Sequence, residues 1–126
     1  MLGKVDLIAF VPTRDFQTSR AFYEHVLGLK FISQDLFAMV FGANGVMVRI
    51  VNVSNVGDFK PFPFTLLGWH VANVEDAARE LATRGVVFER FAGLQQDAQG
   101  VWQSPGGAKV AWFKDPDGNV LSVTEF

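Results

Sequence analysis

The sequence predicts an α+β domain: two βαβββ repeats forming a curved eight-stranded sheet, or half-barrel, around a cavity, with the helices on the outside. Three observations predict it. Runs of β-branched and aromatic residues are twice interrupted by a single stretch of helical period. Each such stretch ends at a glycine followed by a matching strand start, Gly28-Leu29-Lys30-Phe31 and Gly85-Val86-Val87-Phe88. The order then recurs across a patternless break, and a repeat of this size constrains a fold more than any single motif. The repeats run over about 4–53 and 65–126, joined by a linker over about 54–64, all within one domain of 1–126. Two curved four-stranded sheets, each carrying a helix on its convex side, would close around a concavity suited to a small ligand.

The elements follow in order. Val5 to Val11 is a strand closed by Pro12. Asp15 caps a helix running to about Leu27, whose Phe16, Ser19, Tyr23 and Val26 recur at helical spacing, and Gly28 stands where a C′ glycine ends a helix. Leu29 to Ser33, Leu36 to Phe41 and Gly45 to Val53 read as strands, with Gly42-Ala43-Asn44-Gly45 as a hairpin turn. Gly57, Pro61 and Pro63 break the pattern. Thr65 to Ala72 is the next strand. Asn73 caps a second helix, with Asp76 at the third position of an approximate capping box and Gly85 at its end. Val86 to Phe91 and Val101 to Pro105 read as strands separated by a Gln- and Gly-containing loop, Gly93 to Gly100. The chain closes on a hairpin, Ala108–Lys114 and Val120–Phe126, around Asp115-Pro116-Asp117-Gly118, with Asp at the first turn position, Pro at the second and Gly at the fourth.

Composition narrows the function. The chain has 126 residues, 13 Phe, 3 Trp and a single Tyr, enough apolar surface for a core and for a pocket or subunit interface besides. A net charge of −2 with both signs scattered gives no nucleic-acid footprint and no attraction to an anionic membrane. No apolar run approaches the length of a membrane span. The start, MLGKVDLIAF, reads as a first strand and not as a signal peptide. The absence of cysteine excludes disulfides, thiol catalysis and thiolate metal sites. A cytoplasmic protein is the expectation.

The segments Asp15 to Tyr23 with Val26-Leu27-Gly28-Leu29, Gly68-Trp69-His70-Val71 before Val74-Glu75-Asp76-Ala77, and Phe113-Lys114-Asp115-Pro116-Asp117-Gly118-Asn119 resemble the vicinal oxygen chelate superfamily. This is the fold of glyoxalase I, extradiol dioxygenases, fosfomycin-modifying enzymes and bleomycin-binding proteins. The resemblance runs in order from about residue 5 to 126. It implies a homodimer, and in metal-dependent members four inward positions supplying His and Glu ligands. Carried over by motif spacing, those positions fall on Ile8, Arg49 (Val48 if the register slips by one), Trp69 and Ser122. An aliphatic, a guanidinium, an indole and a hydroxyl are not donors that a divalent metal selects. The expectation is therefore no metal and no cofactor, and a cavity that holds a small aromatic or amphiphilic molecule, anionic if Arg49 faces the cavity without a carboxylate partner of its own.

Arg49 is the main candidate anchor, its fork suited to a carboxylate or phosphate, unless it points to solvent or pairs with a carboxylate such as Asp6. Trp69 would stack on a planar ligand or serve the core. Phe10, Met47, Val71 and Val120 share the inward face by alternation, Ser122 would orient a polar group, and the faces of Trp102 and Trp112 stay open. His70 and Glu125 are expected on the opposite face, Glu125 as a solvated strand end, and His25 on the first helix. The Gly93–Gly100 loop is a candidate lid, and the linker, with Phe59, Phe62 and Phe64, a candidate rim. Two other readings stand beside binding: a metal-dependent lyase, isomerase or dioxygenase, and an interaction module whose cavity its own side chains fill.

Overall fold

The structure, a computed structural model, describes all residues Met1–Phe126. Its eight strands fall into two four-stranded sheets, one in each of two compact units, Met1–Lys60 and Pro61–Phe126.

In the first unit β1 (Ile8–Thr13), α1 (Phe16–Ala21), β2 (Lys30–Gln34), β3 (Ala38–Ala43) and β4 (Val46–Asn52) give the sheet order β1-β4-β3-β2. β1 runs parallel to β4, and the other pairs are antiparallel. The first strand starts and ends later than the sequence suggested: Leu2–Lys4 form a short helical turn, and Pro12 lies inside β1, paired with Val51. β1 is an edge strand, where a missing N–H costs no ladder bond on the open side. Asp15 Oδ1 accepts from the Gln17 N–H at 3.0 Å to start α1. After Ala21 the helix widens, with the Leu27 N–H donating to the Phe22 carbonyl at 3.0 Å, and Gly28, at φ 76°, turns the chain out. The β3–β4 turn places Asn44 and Gly45 at positive φ, the mirror-type hairpin that an Asn-Gly pair favours. The core lies between the helix and one face of the sheet: Val11, Tyr23, Met39, Phe41, Val48 and Ile50 are all buried. Each such side chain contributes roughly 1.5–3 kcal/mol of burial.

The second unit repeats the plan with β5 (Thr65–His70), α2 (Val74–Thr83), β6 (Trp102–Gln103), β7 (Lys109–Lys114) and β8 (Val120–Glu125), in the order β5-β8-β7-β6. Asn73 Oδ1 accepts from the Asp76 N–H at 2.8 Å, half of the expected box. Glu125 is not a solvated strand end. Its Oε1 accepts from the Val74 N–H at 2.9 Å and pins the start of α2 to the end of β8. Lys109 and Glu75 make a second tie at 3.1 Å, and the Glu75 carboxylate raises the Lys109 pKa. Beneath α2 lie Ala111, Phe113, Leu121 and Val123, all buried, with Val74 and Ala78 of the helix.

One edge of this sheet departs from expectation. Val86–Phe91 does not form a strand, and the expected strand Val101–Pro105 shrinks to two residues. Phe88 bridges Phe113, and Trp102 and Gln103 pair with Val110 and Lys109. Both pieces run antiparallel along the same edge of β7. They are one edge strand interrupted by the 89–101 excursion.

Candidate functional site

Each sheet has a helix-covered face and an opposite face, and register decides which side chains meet there. In the first unit Ile8 pairs with Met47 and Phe10 with Arg49, so these four predicted residues share the face opposite α1. Ile8, Phe10 and Met47 are exposed and Arg49 half-buried. The carboxylate within reach of the Arg49 charge is Asp35, not Asp6. Asp35 Oδ1 accepts from the N–H groups of Ala38 (2.9 Å) and Phe37 (2.8 Å), which hold its pKa below the ordinary value, with Arg49 contributing in the same sense.

In the second unit β5 corrects the sequence reading. Gly68 pairs with Ser122 and Trp69 with Val123, and the β5–β8 register shifts between Thr65 and Leu67. Trp69 therefore lies on the face of Val123 and Ala111, which α2 covers. Gly68 and His70 take the opposite face with Ser122. Spacing counted back from Val74 could not see this, because which residue of β5 meets Ser122 is set by pairing with β8. The His70 ring rests edge-on to Phe126 at 5.2 Å.

Beside Ser122 on this face stands Trp112, and around it the structure opens a hollow of about 450 Å³. Its walls come from the linker (Pro61, Phe62, Pro63, Phe64), from Phe91 and from Trp112. Thr65, Lys114, Gly118 and Val120 complete it. The linker was foreseen as a rim. Phe62 and Phe64 do serve there, while Phe59 instead sits under the Arg14 guanidinium, 4.7 Å from it. The indole is fixed: Trp112 Nε1 donates to Thr65 Oγ1 at 3.1 Å, and Phe91 meets the ring edge-on at 5.4 Å.

The terminal hairpin sets the floor. Asp115 is buried; its Oδ1 accepts from the Asp117 and Asn119 N–H groups and its Oδ2 from the Asn119 side chain at 2.8 Å. Gly118, at φ 90°, lets Pro61 pack closely: a β-carbon there would lie 3.2 Å from Pro61 Cγ. Lys114, missed by the sequence reading, is the only charged lining residue and faces Glu89 at 3.4 Å. Its alternation with Trp112 along β7 was the available signal.

The Gly93–Gly100 loop is tied down from two sides. Gln96 accepts from the Phe91 N–H and donates to the Glu89 and Gly100 carbonyls, all within 2.9 Å. Arg90 donates to the carbonyls of Gln96, Asp97 and Ala98.

A model of the Glyoxalase/Bleomycin resistance protein/Dioxygenase superfamily matches residues 4–123. The chain belongs to that superfamily. No curated protein matches it. Among solved structures, the superfamily member from Sphaerobacter thermophilus DSM 20745 is 22% identical, with TM-score 0.74 and 97% of both chains covered. The lactoylglutathione lyase of Agrobacterium tumefaciens is 17% identical, with TM-score 0.73, covering 97% of this chain and 93% of that one. TnmS3, an antibiotic binding protein from Streptomyces sp. CB03234, is 19% identical, with TM-score 0.69, covering 97% and 95%. At these identities the likeness shows the fold alone.

Metal-dependent members of the superfamily, as the resemblance implies, need His and Glu at the four inward positions. Here Ile8, Arg49 and Ser122 hold three, and on β5 the register leaves Gly68 and His70 beside Trp69. Nowhere do three His, Asp or Glu side chains come together. These donors do not fit a divalent ion.

Proposed function

We propose that the protein binds a small aromatic or amphiphilic molecule without a metal, in the manner of the superfamily's binding members and not of its metal enzymes. The observation that carries this reading is the hollow of about 450 Å³ in the second unit, walled by proline and aromatic side chains. Its size lies in the range of ligand sites, and its mostly apolar wall with one cationic group is the pattern such sites take. The open face of the first unit offers the same chemistry, with Ile8, Phe10 and Met47 around Arg49. TnmS3 supports the reading as a fold relative described as an antibiotic binding protein.

A cytoplasmic homodimer is part of the proposal. Leu7, Leu36 and Phe37 of the first unit are each about three-quarters exposed or more, apolar surface that a second copy of the chain would cover. Sedimentation equilibrium at micromolar concentration should return twice the chain mass.

The deciding experiment combines two measurements. Protein loaded with Ni, Zn, Mn or Fe salts and desalted should retain no stoichiometric ion on elemental analysis. Native mass spectrometry of gently purified protein should show a bound small organic molecule. One equivalent of tightly held metal would overturn the reading in favour of a metal-dependent enzyme.

A further inference from the structure

We propose that the hollow selects planar aromatic molecules carrying one anionic group, with Lys114 as the anion's partner and Glu89 as an internal competitor that sets the affinity. This rests on the binding reading above and names the ligand class for the same site.

The wall dictates the flat ring. Phe64, Phe91 and Trp112 offer ring faces and edges, and Pro61 and Pro63 offer flat apolar plates. Aromatic surfaces of this kind favour stacked and edge-on partners. The wall also limits polar recognition. The Trp112 N–H, the one donor an indole has, is already given to Thr65. A neutral ligand with a carbonyl or hydroxyl therefore gains little from the indole. What remains is the Thr65 hydroxyl proton, a single neutral donor, and the Lys114 ammonium, the one charged group, with three donors on a flexible stem.

Lys114 is loosely held. Its Nζ lies 3.4 Å from Glu89 Oε1, longer than the 2.7–2.9 Å or so of a strong charge-assisted hydrogen bond. The lysine side chain is 49% exposed and the glutamate 29%, so the lysine can swing while the carboxylate stays near the wall. An arriving carboxylate, sulfonate or phenolate gives Lys114 a shorter bond. It also meets the repulsion of Glu89. The Glu89 backbone N–H donates to the Trp112 carbonyl at 2.8 Å, which keeps the residue on the edge of β7 with its carboxylate in reach of Lys114. It therefore acts as a built-in counterweight: it neutralises Lys114 in the empty site and weakens the bound anion. Its removal strengthens binding of anions in particular.

The test uses a matched pair of fluorescent probes, 8-anilinonaphthalene-1-sulfonate and the uncharged N-phenyl-1-naphthylamine, which share the ring system and differ by one anionic group. Titration of the folded protein should show the sulfonate binding about five-fold or more tighter than the amine. Lys114→Met should bring the two affinities to within about two-fold of each other, and Glu89→Gln should raise the sulfonate affinity several-fold. Circular dichroism confirms that each variant is folded. Equal affinity of the probes for the wild type, or a preference that survives Lys114→Met, overturns the ligand class while leaving aromatic binding intact. Failure of both probes to bind the wild type, or binding that a Trp112→Leu variant leaves unaltered, overturns the binding reading for this hollow as well. A hollow occupied by a second copy of the chain, seen as probe binding that appears only when dilution dissociates a dimer, overturns the proposal too.

Discussion

Gly68 lies directly against Ser122: a β-carbon built on Gly68 would sit 2.9 Å from Ser122 Oγ. The two are paired across β5 and β8 and share the face opposite α2. A real β-carbon is not tolerated at that distance, so an alanine at 68 must push the hydroxyl aside. Gly68→Ala should cost about 1 kcal/mol more in the wild type than in a Ser122→Ala background, a coupling that a double-mutant cycle in urea reads directly. Strict additivity would show that the two do not touch.

Ser19 stands fully buried on α1, and its Oγ has no hydrogen-bond partner. A desolvated, unpaired hydroxyl is a cost, and serine is also a weaker helix former than alanine. Ser19→Ala should stabilise the protein by about 1 kcal/mol, seen as a rise of several degrees in Tm. A fall in Tm would mean that the hydroxyl is satisfied.

Asp115 organises the terminal hairpin through three accepted bonds from Asp117 and Asn119. Asp115→Ala removes the acceptor of these three bonds from a largely buried turn and should destabilise by about 2–3 kcal/mol. Gly118→Ala acts on the same turn by another route, through positive φ and the approach of Pro61. It should cost roughly 1–2 kcal/mol and weaken probe binding in the adjoining hollow.

Gln96 ties three backbone groups across the 89–100 excursion. Its replacement by alanine should cost about 1–3 kcal/mol and speed amide exchange selectively at Phe91 and its neighbours. Unchanged protection at Phe91 would show that Gln96 does not hold this loop.

Asp35 titrates below the ordinary carboxylate value, chiefly because of the Ala38 N–H and then the Phe37 N–H. A depressed folded pKa means that its stabilising contribution is fully present above the unfolded value. It is lost as pH falls through the folded one. Carbon-detected NMR should place the midpoint below that of an ordinary aspartate, and Arg49→Gln should raise it only slightly, since Arg49 is the smallest of the contributing causes. A large rise on that substitution would make Arg49 the principal partner.

The sequence by itself determined the repeat, both helices with their Asp15 and Asn73 caps, the Asn-Gly and Asp-Pro-Asp-Gly turns, and the strands of the terminal hairpin. These rest on local spacing and on residues whose own backbone preferences specify a conformation. Alternation put Ile8 with Phe10 and Met47 with Arg49 on one face of their own strands, and the family resemblance suggested that the two pairs meet; the β1–β4 pairing decided for Arg49 over Val48. Only the tertiary structure decided the rest. Trp69 changed faces with His70 because pairing with β8, and not the count to the next helix, sets the register of β5. Val86–Phe91 gave up its strand because a single edge of β7 had to serve two segments. Glu125 became a helix anchor and Lys114 a wall of the hollow because their partners are distant in the chain. The physical reason is one: a residue's period and propensity are local, whereas the face it turns and the neighbour it meets are fixed by hydrogen bonds from another strand.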